Sequence, residues 1–159
     1  MGLPLTPTEK CSPYSSISAF AGHILLISPE KLCDMQLLTK EDLIVPSTIE
    51  FNDNYVKFKQ VIEYKHEVLK KAFKNFQQQQ QNYAIDLFEQ FIQSEHYWLD
   101  DYSLYMTIKE QQQNQSWSKW PDELKYRQKE GLQQIRETQK DLIQYHIFSN
   151  IYFITNGHN

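Results

Sequence analysis

Between Phe58 and Phe76 apolar residues return every three or four positions: Phe58, Val61, Ile62, Val68, Leu69, Ala72, Phe73 and Phe76. Only a helix gathers that spacing on one face, and a stripe this wide needs other helices to cover it. The helix is expected to start near Asn54. The same kind of spacing continues downstream, first through Leu87, Phe88, Phe91 and Ile92, then through Trp98, Leu99, Tyr102, Tyr105, Met106 and Ile108. The glutamine run at 77–81 has no stripe to bury and reads as a fraying end or a loop. SWSKWP at 116–121 interrupts the period with two tryptophans and a proline. A final long helix is expected from about Gln128 toward Phe153, with Leu132, Ile135, Leu142, Ile143 and Phe148 turned inward. Glycine is rare, at 4 of 159 residues, which favours long helices over tight-turned β architecture.

The N-terminal end differs. LPLTPT at 3–8 reads as a strand end entering a turn, because Pro4 and Pro7 cannot continue a ladder. CSPYSSISAFAGH at 11–23 carries no Asp, Glu, Lys or Arg. The apolar run at 24–27 is either a short buried strand or a loop anchored in a core. Ser28-Pro29-Glu30 is a helix start: a hydroxyl cap, a proline where the N–H would be orphaned, and an acid near the positive helix end. Thr39 and Asp42 open another brief helical turn, stopped by Pro46.

A net charge of −4 leaves no basic stripe to neutralise phosphates, so nucleic acid is not an expected partner. No apolar run approaches the roughly 20 residues of a membrane span, and residues 1–10 do not follow a signal-peptide pattern. MGLPLT fits the loose myristoylation pattern, which is short enough to arise by chance. Two cysteines, Cys11 and Cys33, suit a reducing, cytoplasmic setting and inert thiols.

Glu63 and His66 form an E-x-x-H pair, but the second pair and further glutamates of a di-metal bundle are missing, so a solvated helix face is expected. His23, His96, His146 and His158 lack ligand spacing. Asp100 and Asp101 point about 100° apart on a helix and cannot flank one bond as an acid/base pair unaided. Neither a glycine-rich phosphate loop nor a nucleophile elbow is present. No catalytic set, metal or cofactor is implied by these residues.

Ordered blocks across the chain nevertheless resemble the 4-α-glucanotransferases called amylomaltase or disproportionating enzyme, family 77 of the glycoside hydrolases. The matches are Leu3-Pro4-Leu5, Pro7, Ser12-Pro13-Tyr14, residues 18–22 (SAFAG) and Leu25-Leu26-Ile27. They continue with Leu37-Leu38, Asp42-Leu43, Lys65, Leu69, Ala72-Phe73, Trp98-Leu99, Asp101-Tyr102, Leu104, Met106 and Lys109. Trp117, Trp120-Pro121 and Arg127 complete them. Two departures stand out. Gly22-His23-Ile24 alters a turn that the family usually builds with Asn-Pro, and the final helix reads Asn150-Ile151-Tyr152-Phe153 and then ends in ITNGHN, where the family's helix is expected to continue into the barrel.

The resemblance implies a mainly α chain: a helical insertion subdomain plus a strand/loop fragment of a TIM (β/α)8-barrel enzyme. Residues 1–27 would be a barrel strand end and active-site loop, 28–153 the helical subdomain, and 154–159 a tail outside the family pattern. A complete barrel takes about 250 residues, so the expectation is a fragment, cut at both ends, whose missing catalytic barrel is its natural partner. The implied chemistry is retaining transfer of α-1,4-glucan segments between maltooligosaccharides, through an Asp nucleophile and a Glu acid/base. Those carboxylates lie downstream of the matched region, and no acid in this chain inherits their role. Ser12, Pro13 and Tyr14 are carried over as glucan-lining residues. Phe20 is expected to plug the junction between barrel and helical block, and Trp98, Tyr102, Trp117 and Trp120 to be core. A reading from another class is a helical interaction module without glucan chemistry.

Overall fold

The computed structural model describes residues 18, 20–46, 57–78 and 83–156. The expected strand end at 3–8, Cys11, Ser12, Pro13 and Tyr14 lie outside them, as do residues 79–81 of the glutamine run.

The described residues are helical, with no strand among them. Six α-helices follow in order: α1 (Pro29–Asp34), α2 (Phe58–Gln78), α3 (Tyr83–Gln111), α4 (Asp122–Lys125), α5 (Lys129–Thr138) and α6 (Lys140–Asn156). Short 3-10 turns occupy Ile24–Leu26, Lys40–Leu43 and Trp117–Lys119. The helix start at Ser28 forms as its chemistry requires. The Ser28 hydroxyl accepts the Lys31 N–H at 3.4 Å and donates to Glu30 at 2.7 Å, with Pro29 in the first turn. At the next turn the Asp42 carboxylate accepts the Thr39 N–H at 2.8 Å and pairs with Lys71 of α2, which ties this turn to the long helix.

Two expected boundaries move. The two apolar patterns at 87–92 and 98–108 belong to one helix, α3, whose 29 residues contain no Gly or Pro to end it. At 1.5 Å per residue it is about 43 Å long. The single helix expected from Gln128 is broken instead at Gln139, which leaves helical geometry at φ −119° and ψ 32°. This break changes which core each half faces. On α5, Leu132 and Ile135 pack against a small cluster of Leu104, Ile108, Trp120 and Leu124. On α6, Tyr145, Phe148, Ile151, Tyr152 and Phe153 enter the main core. Ile143 touches both clusters.

The main core joins Val68, Leu69, Ala72, Phe73 and Phe76 of α2 to that face of α6, with Trp98 and Leu99 of α3 alongside. Phe148 is fully buried at its centre, with ring centroids 5.3 Å from Phe73, 5.4 Å from Phe76 and 4.4 Å from Tyr152. α3 and α6 make the most extensive helix pair. Small hydroxyl residues are buried here, and each satisfies itself on its own helix. Ser103 donates to the Asp100 carbonyl at 3.1 Å, Thr107 to Ser103 at 2.8 Å, and Ser149 to Tyr145 at 2.9 Å.

Two expected core residues are on the surface. Phe58 is 47% exposed because it stands in the first turn of α2, ahead of the faces that meet α6. Trp117 is 57% exposed because its 3-10 turn leaves it at the rim of the cluster that buries Trp120.

Tyr152 is 1% exposed, and among the described residues its hydroxyl has no hydrogen-bond partner. Burial pushes its phenol up to about 12. An unsatisfied buried hydroxyl costs about 1–3 kcal/mol. Tyr152→Phe is therefore expected to stabilise the chain by about 1 kcal/mol, read as a higher urea midpoint at unchanged slope. A lower midpoint would show that the hydroxyl is satisfied.

Candidate functional site

The uncharged N-terminal loop enters the described structure at Ser18, and every contact it makes from there sets its path. The Ser18 hydroxyl accepts the N–H groups of Phe20 and Ala21, both at 3.1 Å, closing a tight turn. Ala21 is fully buried. The Gly22 N–H donates to Asn150 Oδ1 of α6 at 3.1 Å, and Asn150 Nδ2 in turn donates to the His146 carbonyl at 2.8 Å. Both polar ends of this buried amide are thus used, so its orientation is fixed. The Phe153 ring lies directly on Gly22, where any Cβ would overlap it.

The Gly-His-Ile departure is explained here. His23 Nδ1 accepts the Leu25 N–H at 3.2 Å and caps the 3-10 turn. An asparagine side chain makes this same bond to the backbone two residues on. The run at 24–27 is accordingly an anchored loop rather than a strand: Ile27 is buried, and its carbonyl accepts Lys65 Nζ at 2.5 Å. Lys65 sits on the buried stripe of α2, and burial holds its amine below the usual lysine range. Lys65 therefore couples the loop to α2, and Asn150 couples it to α6.

Phe20 is 51% exposed. Its ring stacks on Trp98 at 5.9 Å and 23°, and meets Tyr97 edge-on at 5.8 Å and 80°. Trp98 is held from behind by an indole N–H bond to Glu95 at 2.6 Å. The loop thus ends on an aromatic surface that faces outward.

Below the loop is a group of titratable side chains. His66 Nδ1 lies 3.2 Å from the Tyr145 hydroxyl, so this face of α2 is half-buried against α6 rather than solvated. Glu63 one turn earlier is exposed. His146 Nε2 stands 3.4 Å from a Glu110 oxygen, within ion-pair range and without an aligned hydrogen bond. That imidazole holds the Glu110 carboxyl below its usual range. Among the described residues no cluster of His, Cys, Asp or Glu could hold a metal ion. Asp101 pairs with Arg127 at 2.6 Å, and Asp100 is exposed. Cys33 contacts the Thr39 carbonyl, and burial first, then nearby acids, push its thiol upward.

Asn150 and Phe153 were noted in the sequence only as departures, and their role in holding the loop was missed. Lys65 carried a readable signal, since a lysine four residues before Leu69 falls on an otherwise apolar face.

The fold described above is shared with a solved structure. An amylomaltase from Streptococcus agalactiae in complex with acarbose superposes with a TM-score of 0.83 at 29% identity, over 96% of this chain and 30% of that one. The 4-alpha-glucanotransferase of Aquifex aeolicus is 40% identical over 154 residues, covering 95% of this chain and 29% of its own. The Thermus thermophilus 4-alpha-glucanotransferase is 31% identical, covering 95% and 29%. The family model for 4-alpha-glucanotransferase, glycoside hydrolase family 77, matches residues 2–156, and the chain belongs to that family. It spans about 30% of the length of these relatives.

Burial holds the imidazoles of His23 and His66 below their ordinary value of 6.5, with each next to other cationic groups: His66 beside His23, and Lys70 and His146 beside His66. Because the folded state resists protonation, the unfolded chain takes up protons first as pH falls. Their contribution to stability is complete above pH 6.5 and is lost as pH drops through 6.5 toward the depressed folded values. The urea midpoint should therefore fall between about pH 7 and 5.5. His23→Asn keeps the i→i+2 cap without titrating and should make that fall shallower. An identical slope in the variant would mean that His23 carries none of it.

Proposed function

We propose that this chain is the loop-bearing helical portion of a 4-α-glucanotransferase, which moves α-1,4-glucan segments between maltooligosaccharides. The observation that carries the reading is the pinned, charge-free loop on a helical body of this family. A neutral polyol needs hydrogen bonds and ring faces rather than counter-charges, so a wall without Asp, Glu, Lys or Arg suits a glucan.

In this reading Ser12 donates and accepts at a glucose hydroxyl. Tyr14 lays its ring on the sugar's apolar face, with its phenol at a sugar oxygen. Pro13 stiffens the segment, which lowers the ordering cost of binding. The wall belongs to residues 1–27 and the helices to 28–153, beside a (β/α)8 barrel that supplies the carboxylates. Chemistry would proceed by retaining double displacement, with a sugar hydroxyl instead of water completing transfer. No carboxylate described above is placed for that work: Asp101 is held by Arg127 and Glu110 by His146. A cytoplasmic location follows from the sparse cysteines, and no described helix is long and apolar enough to cross a membrane.

Calorimetric titration with maltoheptaose tests the wall. Weak binding is expected, and Tyr14→Ala should weaken it about tenfold, the loss of a stacked ring and a hydrogen bond. Equal binding by wild type and variant would remove the support for this wall. Incubation of the chain with maltotriose should yield no longer or shorter products on chromatography, and any transfer would contradict the assignment of the carboxylates to the barrel.

A further inference from the structure

Beyond the C-terminal end of α3, the tryptophans of SWSKWP are divided between two environments. Trp120 is buried, and its indole N–H donates to the Gln115 carbonyl at 3.1 Å. Trp117 is more than half exposed, and among the described residues its indole N–H has no partner. Between them opens a cavity of about 160 Å3, lined by Trp117, Trp120, Tyr105, Leu104 and Leu124, with Lys125 and Arg127 as its charged residues. Tyr105 and Trp120 brace one another at 5.4 Å, so two of the three aromatic walls are fixed.

The polar edge is also built. Arg127 Nη2 donates to Asp101 Oδ1 at 2.6 Å, bringing a guanidinium and a carboxylate together beside the aromatic walls. Arg127 holds a left-handed backbone, φ 53°, where glycine would be unstrained. Backbone bonds from Arg127 to Leu124 at 3.2 Å and from Gln128 to Glu123 at 2.8 Å keep it there. These two bonds form the Schellman cap that ends α4, which fixes where the Arg127 side chain leaves the backbone.

We infer that this cavity is a second α-glucan contact site, taking one glucose ring of a chain against Trp117 at the far end of the helical block. The inference rests on the glucan reading above and extends it to a surface that reading does not use. The chemistry selects the ligand. An exposed indole offers a flat apolar face for the C–H side of a pyranose, and its N–H is available to a hydroxyl. The edge offers N–H donors for sugar hydroxyls: the Arg127 guanidinium, whose charge Asp101 counters from outside the cavity, and the Lys125 amine, which lies over the Tyr126 ring. At about 160 Å3 the cavity is well below the ~300–1,000 Å3 of drug-sized pockets, so it holds one ring and leaves the rest of the oligosaccharide outside. Such a site would tether a long glucan while its other end lies at the loop, raising the local concentration of substrate.

The test is a residue-resolved NMR titration of the whole chain with maltoheptaose, with cellohexaose as the β-linked control. The Trp117 and Trp120 indole N–H signals report the cavity, and the amides of residues 20–25 report the loop. The site predicts saturable shifts at both indoles with maltoheptaose and at least fivefold weaker effects with cellohexaose. Trp117→Ala should weaken the affinity read at Trp120 about tenfold, and Trp117→Phe, which keeps a ring, less than threefold. Neither change should move the loop response. Shifts at the loop with unmoved indoles would overturn the second site and leave the loop reading standing. Indole shifts with a silent loop would support the site and sink the loop. Equal response to both sugars, or Trp117→Ala binding like wild type at Trp120, would also overturn it.

Discussion

One hydrogen bond spans 128 positions of sequence and organises this structure: the Gly22 N–H to the Asn150 side chain. It is made by a buried amide whose other end is satisfied within α6. Its geometry is enforced by the Phe153 ring, which occupies the space a side chain at position 22 would need. A glycine is required there by close approach, not by backbone freedom. Around this contact the loop has little choice. Ala21 is buried, Ile27 is buried, and the Ile27 carbonyl is claimed by Lys65. Residues 20–27 are thereby tied to helices far from them in sequence.

The helices can do this because they do not depend on a single core. α3 crosses two clusters, contributing Trp98 and Leu99 to one and Leu104 and Ile108 to the other. The break at Gln139 lets the C-terminal segment serve both, with α5 closing the smaller cluster and α6 closing the larger. The aromatic packing around Phe148 then fixes α6 against α2, and with it the position of Asn150. Burial of rings and aliphatic side chains supplies the stability, while the polar contacts to the loop supply its geometry. Phe20, at the described start of the loop, packs on Trp98 at the middle of α3, and the cavity beside Trp117 uses Leu104 and Ile108 nearer its C-terminal end.

Much of this was legible in the sequence where periodicity or cap chemistry decides the outcome. The α2 stripe from Val68 to Phe76, the start at Ser28-Pro29 and the turn at Thr39 all formed as their residues dictate. What the sequence hid was long-range. The Gln139 break has no glycine or proline to announce it, and only the need to face two clusters accounts for it. Trp117 and Trp120 share a motif and differ in burial, because a 3-10 turn three residues long leaves one at the rim of a cavity and the other inside the core beneath it. His66 looked solvated from its E-x-x-H setting, yet Tyr145 reaches it from α6. For the loop, the family blocks pointed to Ser12, Pro13 and Tyr14. No local pattern, however, indicated that an asparagine in the last helix would hold the chain that carries them.

The central claim is that the helical block shapes the loop for a glucan, and the maltoheptaose affinity of Asn150→Ala tests it most directly. The substitution removes the Gly22 bond while leaving every residue of the loop in place. Helix content, read by circular dichroism, should be unchanged, and the affinity should fall about tenfold, the loss of one buried hydrogen bond and the order it imposes. An affinity equal to wild type, with faster hydrogen exchange at the Gly22 amide confirming that the bond is gone, would contradict the account.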